Sequence, residues 1–186
     1  MSEVELLPKL IWLDLEMTGL DPDSERIIEI ATIVTNYDLT GEIEGPNLVI
    51  KQPKEFIINM DEWNVLHHNE SGLVDSLKVT KTTEQDAEKE TLNFLKKHST
   101  KGQSPLCGNS ISHDRRFLNR YMPELASFFH YRNIDVSSIK ELVKRWQPEL
   151  LKGILKTSSH RALSDIKESI EELRYYKRNI FKMSEN

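Results

Sequence analysis

The stretch that most constrains this chain is Leu10-Ile11-Trp12-Leu13-Asp14-Leu15-Glu16-Met17-Thr18-Gly19-Leu20, an apolar run that carries two carboxylates. Side chains of a strand alternate faces, so Asp14 and Glu16 point one way and Ile11, Leu13, Leu15 and Met17 point the other, into a core. Two acids on one face of a buried strand repel each other and lose solvation. A cation between them removes that conflict, and oxygen-only ligands suit a hard divalent ion such as Mg²⁺ or Mn²⁺. Gly19 is expected to let the backbone turn, leaving Leu20 at the mouth of the site. The alternative at this point is an edge strand with two solvated acids.

The rest of the chain is read around that strand. Residues 27–34 are rich in β-branched residues and predict a second strand; Leu48-Val49-Ile50, after the punctuation of Gly45-Pro46-Asn47, predicts a third. Short connections favour antiparallel pairing of these three. Residues 53–62 read as irregular, with a short helix after Asp61. Thr83 and Asp86 form a capping box for a helix whose stripe is Ala87, Thr91, Phe94, Leu95 and His98. Pro105-Leu106-Cys107-Gly108 predicts a strand parallel to the first. Ser112 is expected to cap a helix that turns Phe117, Leu118, Tyr121 and Met122 inward. A brief strand at 134–136, a helix stopped at Pro148, and a last helix with Ala162, Leu163, Ile166, Ile170 and Leu173 on one face complete the order. Three consecutive strands followed by alternating helices and strands predict an α/β mixed sheet, antiparallel first and then parallel, flanked by helices.

Composition bounds the function. With 186 residues the chain is read as a single domain over 1–186. No apolar run reaches membrane-spanning length, and no leader pattern is visible, because Pro8 and Lys9 interrupt the first candidate. One cysteine, Cys107, excludes an internal disulfide and fits a reducing cytoplasm. The net charge of −5 argues against a basic track for long nucleic acid, yet leaves room for an enzyme acting on very short strands.

Further chemistry-bearing residues lie at Asp114, in the first turn of its helix where a carboxylate is favoured by about 0.3–1 kcal/mol, and at His160 and Asp165. Five residues apart on an ideal helix, His160 and Asp165 lie about 140° apart; they share a site only if His160 belongs to the preceding loop. Taken singly, Asp114 reads equally as a capping acid and His160 as a solvated loop histidine.

Asp14-x-Glu16, Asp114 and His160-x-x-x-x-Asp165 resemble, in kind, order and spacing, the DEDDh exonucleases. Asp14-Leu15-Glu16-Met17-Thr18-Gly19-Leu20-Asp21-Pro22, Cys107-Gly108-Asn109-Ser110, Met122-Pro123-Glu124-Leu125, His130-Tyr131-Arg132 and Asp135-Val136-Ser137 are similar to the oligoribonuclease branch of that family, along essentially the whole chain. The resemblance implies an RNase H-like fold, a homodimer, and 3′→5′ removal of nucleotides from very short RNA, down to dinucleotides. It implies two divalent cations, Mg²⁺ or Mn²⁺, held by Asp14, Glu16, Asp114 and Asp165, with His160 as general base. Two ions about 3.5–4 Å apart suit an in-line displacement at phosphorus.

Carried over residue by residue, Leu20 matches a leucine that wedges between two bases and Trp63 an aromatic on which a base stacks. The other reading of Trp63 is a core aromatic. His68 falls on a histidine position near the site. Ser110, Ser137, Tyr131 and Arg132 match groups that close around a terminal 5′ phosphate, the last two from the partner subunit. His113, Ser164 and Ser138 depart from the family pattern without touching the five core residues. His67 reads as surface or packing. Two rivals remain: an exonuclease of the wider group trimming longer single-stranded DNA or RNA, and a non-catalytic dinucleotide-binding module.

Overall fold

The computed structural model describes residues 7–154 and 160–181; residues 1–6, on which the reading of the N-terminus partly rests, lie outside the described residues. In chain order the elements are β1 (Leu10–Met17), β2 (Ile27–Thr35), β3 (Ile43–Val49), α1 (Lys54–Ile58), α2 (Glu62–Glu70), α3 (Leu73–Val79), α4 (Glu84–His98), β4 (Leu106–Gly108), α5 (Ser112–Tyr121), α6 (Pro123–Ala126), β5 (Asn133–Asp135), α7 (Val136–Trp146), a 3₁₀ turn (Pro148–Gly153) and α8 (Ala162–Asn179). The strands form one mixed sheet in the order β3-β2-β1-β4-β5. β1 runs antiparallel to β2 and parallel to β4, and β5 is parallel to β4. This is the RNase H-like arrangement expected.

β1 is the central strand, so the edge-strand alternative for Asp14 and Glu16 is overturned. Its alternation sorts two cores. Ile11, Leu13, Leu15 and Met17 pack on one face with Leu95 of α4, Phe117 and Leu118 of α5, and Leu125 of α6. Leu10 and Trp12 pack on the other face with Val143 of α7 and Ile166, Ile170 and Tyr176 of α8. Asp14 and Glu16 share the parity of Trp12, and therefore the face that α8 covers.

Several boundaries differ from the sequence expectation. β3 begins five residues earlier and runs through Gly45 and Pro46. It is an edge strand, and its pairing with β2 shifts register between Ala31 and Ile33, so a bulge takes up the proline. Gly45 is required by proximity, since a Cβ there would lie 2.4 Å from the Phe94 ring and 2.5 Å from Thr32 Oγ1. The region expected to be irregular holds α1. Ser112 does not cap α5: Ile111 occupies the cap position, with no side-chain cap bond, and Ser112 is the first helical residue. Gly19 has no left-handed φ; its missing Cβ leaves room for Glu25, whose carboxylate accepts from Thr18 Oγ1 and so braces the turn before Leu20. The capping box on α4 forms as expected, with Thr83 and Asp86 bonding reciprocally.

Candidate active site

Two elements bring three of the acids together, and a third element places Asp114 beside them, outside that group. β1 supplies Asp14 and Glu16, and the first turn of α8 supplies Asp165. One carboxylate oxygen from each lies within 4.8 Å of the others. α5 supplies Asp114, which is buried and accepts the backbone N–H of Leu15 at 2.9 Å, between the two β1 acids. A cleft of about 290 Å³ opens over Asp14, Glu16, Asn109, His160, Asp165, Glu168 and Ser169. His160 lies in the segment before α8 rather than on it, so the objection from helical spacing disappears. It is half-buried and lines the cleft.

Burial and mutual repulsion disfavour charge on the acids of this cluster. Burial, then the charges of Asp114, Glu16 and Asp165, raise the Asp14 carboxyl well above its ordinary range. Burial, then Asp165 and Glu29, push Glu16 up to about 8. Burial pushes Asp114 up to about 7, against the hydrogen bond from Leu15. Oxygen donors converging in a half-buried cleft, each disfavouring its neighbours' charge, fit a hard divalent cation. His160 moves the other way: burial, then the neighbouring His67, lowers its pKa and favours the neutral ring.

The remaining expected residues fall into three groups. Trp63, on α2, is 57% exposed, which excludes the core-aromatic reading. Its ring stacks on His67 at 4.0 Å, and both meet His160 edge-on, at 5.5 and 4.4 Å respectively. Leu20, 66% exposed, stands on the turn after β1. His68 is buried; its Nε2 donates to the Met17 carbonyl at 3.0 Å, and its Nδ1 lies 3.9 Å from Glu16.

Ser110 and Ser137 meet at the C-terminal ends of β4 and β5. The Ser110 N–H donates to Asp135 Oδ1 at 2.9 Å and to Ser137 Oγ at 3.0 Å. Ser137 Oγ donates to Asn109 Oδ1, Asn109 Nδ2 to Ser169 Oγ, and Ser169 Oγ to the Asp165 carbonyl, at 3.0, 2.6 and 2.8 Å. The two serines are thus wired to α8 just below the acids.

Tyr131 and Arg132 are placed differently. They precede β5, at the opposite end of that strand from Asp135, and they do not line the cleft of their own chain. Tyr131 is 74% exposed with the Arg132 guanidinium 5.3 Å from its ring. Arg115 of α5 holds this loop, donating to the His130 carbonyl and to Asn133 Oδ1, each at 2.8 Å.

Sequence reasoning missed His67, Asn109 and Glu168 as site residues, and Glu29 and Arg161 beside it. A signal existed for two of them. Glu168 lies one helical turn beyond Asp165, on the same side of α8. Glu29 is an acid inside the apolar run Ile27-Ile28-Glu29-Ile30, as anomalous as Asp14 in its own strand.

Comparison with known proteins agrees with this geometry. Residues 11–173 match the exonuclease family RNase_T. Oligoribonuclease from Shewanella frigidimarina is 57% identical over 94% of this chain and 96% of its own length. Oligoribonuclease from Legionella pneumophila is 56% identical over 95% of this chain and 94% of its own. Among solved structures, the zinc-bound E. coli exonuclease I complex with single-stranded DNA superposes with a TM-score of 0.70 at 16% identity, covering 95% of this chain and 42% of that one. Exonuclease I from Methylocaldum szegediense gives 0.63 at 17% identity, over 94% and 41%. The chain spans less than half of these two enzymes, and the likeness to them concerns the fold. Among the described residues no helix is long and apolar enough to cross a membrane. With an acidic cleft on an RNase H-like sheet and more than half of its residues identical to those relatives, the chain belongs to the oligoribonuclease family of exonucleases.

Proposed function

We propose that this protein is a divalent-cation-dependent 3′→5′ exoribonuclease that hydrolyses short oligoribonucleotides, dinucleotides above all, to 5′-mononucleotides. The observation that carries this reading is the convergence of Asp14, Glu16 and Asp165 in one cleft against His160. Asp14, Glu16, Asp114 and Asp165 would hold two cations, Mg²⁺ or Mn²⁺. When bound, such cations lower the pKa of an attacking water and neutralise charge on the leaving 3′ oxygen.

The chain's own residues do the rest. A neutral His160 accepts the water's proton on a ring nitrogen, a role its lowered pKa favours near neutral pH. His68 donates to the Met17 carbonyl and holds the end of β1 beside Glu16. Trp63 offers an exposed ring to one base, backed by His67, and Leu20 wedges against the other. Ser110 and Ser137 hold the terminal 5′ phosphate, with Tyr131 and Arg132 of the partner subunit closing over it in a homodimer. The position of those two residues away from their own cleft supports that division. A phosphate-sized lid accounts for a preference for short chains, and an acidic protein without a basic track fits a cytoplasmic enzyme that takes no long strand.

The test is cleavage of 5′-phosphorylated RNAs from the dinucleotide to the heptanucleotide, with Mn²⁺ or Mg²⁺ and with chelator. The dinucleotide should be cut fastest, and chelator should abolish cleavage. Rates that rise with length, or a preference for DNA, would instead support an exonuclease of longer strands. Tight dinucleotide binding without cleavage would support a binding module.

A further inference from the structure

His160 sits in a backbone conformation that few residues adopt unaided, with φ at +48°. Such a conformation persists only where the surroundings over-determine it. The next two residues of the chain supply that determination. Arg161 reaches back across the sheet to Glu29 on β2, with Nε 3.1 and 3.2 Å from its two carboxylate oxygens and Nη2 at 2.7 Å. Glu29 is fully buried, and its second oxygen also accepts the N–H of Ala162, the first residue of α8, at 3.0 Å.

That carboxylate does what a cap residue normally does. The position before α8 is Arg161 itself, which makes no side-chain cap bond. The free N–H of the helix start is instead met by a carboxylate delivered from another strand, at the end where the helix dipole favours negative charge. Arg161 Nη1 further reaches the carbonyl of Ser71, the residue that ends α2, at 3.4 Å. One guanidinium therefore ties together β2, the start of α8, and the end of the helix that carries Trp63, His67 and His68. Glu29 is the register partner of Glu16 across β1 and β2, so this tie lies immediately beside the acids.

We propose that Glu29 and Arg161 are positioning residues that fix the His160 ring over the cleft. A buried acid that accepts four charge-assisted or dipole-assisted bonds costs a good deal to desolvate, and stability alone is a weak reason to keep it, because apolar pairs of similar volume often replace buried ion pairs without loss. The service specific to this pair is orientation. The residue after His160 is clamped through its side chain and the residue after that through its backbone N–H, which leaves His160 little freedom. Asp165 depends on the clamp less, since its N–H is held within the first turn of α8 by the Arg161 carbonyl at 3.0 Å.

This inference rests on His160 acting as the base, and the experiment separates the two. Three variants are compared with the parent chain: E29Q, the paired replacement E29M/R161M, and the paired replacement in an H160A background. Thermal midpoint, Mn²⁺-induced stabilisation, dinucleotide affinity in Ca²⁺ and turnover in Mn²⁺ are measured for each. For E29M/R161M the midpoint, Mn²⁺ response and affinity should stay near those of the parent. kcat should fall about 10–100-fold, the scale of a displaced catalytic group.

In the H160A background the paired replacement should cost no more than about threefold further, because residues acting as a unit are non-additive. Hydrogen exchange at amides 160–164 should quicken in E29M/R161M without any metal present. E29Q, which keeps an acceptor for Ala162 N–H, should fall between parent and pair. Parent-like kcat in a folded E29M/R161M, or the same loss again on top of H160A, overturns the positioning role. A nearly active H160A overturns the base assignment, and the exchange result then decides the clamp alone.

Discussion

Asp114 Oδ1 accepts the backbone N–H of Leu15 at 2.9 Å, so the acid contributed by α5 is fastened to the very residue that separates Asp14 from Glu16. The bond makes Asp114 a structural as well as a chemical group, and two substitutions separate the roles. Asp114→Asn keeps an oxygen for Leu15 and should fold with a near-parent midpoint while losing activity by orders of magnitude. Asp114→Ala should lose activity equally and also forfeit about 1–3 kcal/mol of stability, because it strands a buried N–H. Thermal denaturation and turnover, measured together, check both; an active Asp114→Asn would remove Asp114 from the cation set.

The acids also set a pH dependence for the cation-free protein. A carboxyl with a higher pKa folded than unfolded binds its proton more tightly when folded, so stability falls as pH rises through the gap between the two values. Glu16 is pushed up to about 8 and Asp114 to about 7, with Asp14 raised as well. Without divalent cation the midpoint should therefore decline from about pH 5 to about pH 8, and Mn²⁺ should restore it increasingly towards the alkaline end. At a hundred times its dissociation constant a bound ion contributes about 2.7 kcal/mol. Calorimetry at several pH values with Mn²⁺ or EDTA reads this out; a cation response independent of pH would show that the ion binds elsewhere.

Trp63 should behave as an exposed stacking platform. Trp63→Ala is expected to weaken dinucleotide binding by about 1–3 kcal/mol, with a folded midpoint close to the parent's because the ring is not in the core. Trp63→Phe should recover most of the affinity. Titration of the dinucleotide in Ca²⁺ measures both, and an unchanged affinity in Trp63→Ala would move base recognition away from α2.

If Tyr131 and Arg132 serve the neighbouring subunit, two dead proteins should complement. Arg132→Ala and Asp165→Ala are each expected to be nearly inactive. Mixed under conditions that exchange subunits, they should regain about a quarter of parent activity, since half the dimers are mixed and each of those holds one intact site. No recovery despite verified exchange would place Arg132 at the site of its own chain.

Gly45→Ala probes the approach of β3 to α4. Its methyl would sit 2.4 Å from Phe94 and 2.5 Å from Thr32, and the overpacking should cost about 1–3 kcal/mol. Activity per folded molecule should be untouched, because no residue of the cleft is in contact; urea denaturation beside an assay measures the two separately.

Local rules made part of the molecule legible in its sequence. The alternation of β1 assigned Ile11, Leu13 and Leu15 to one core, and the Thr83–Asp86 box started α4 where it starts. His160 depended on a conditional, a loop position, that only three dimensions could resolve. The clamp was out of reach for a different reason: Glu29 acquires its meaning from the register that pairs it with Glu16 and from a helix start 133 residues away. Nothing in the sequence around His67 announces the ring that arrives from residue 160. Pro46 misled in the opposite direction, since a proline that would break a central strand is harmless in a bulged outer one.

The two margins of the sheet share a property of their own. On one side β3 carries Pro46 and a register break; on the other β5 is three residues long. Neither presents an unbroken ladder of free N–H and C=O groups to a second chain, which is how natural sheets avoid growing into one another. Copies of this protein are therefore steered away from joining backbone to backbone, which favours unions written in side chains. Such a union can be retuned by single substitutions and is guarded against the runaway polymerisation that an open strand invites.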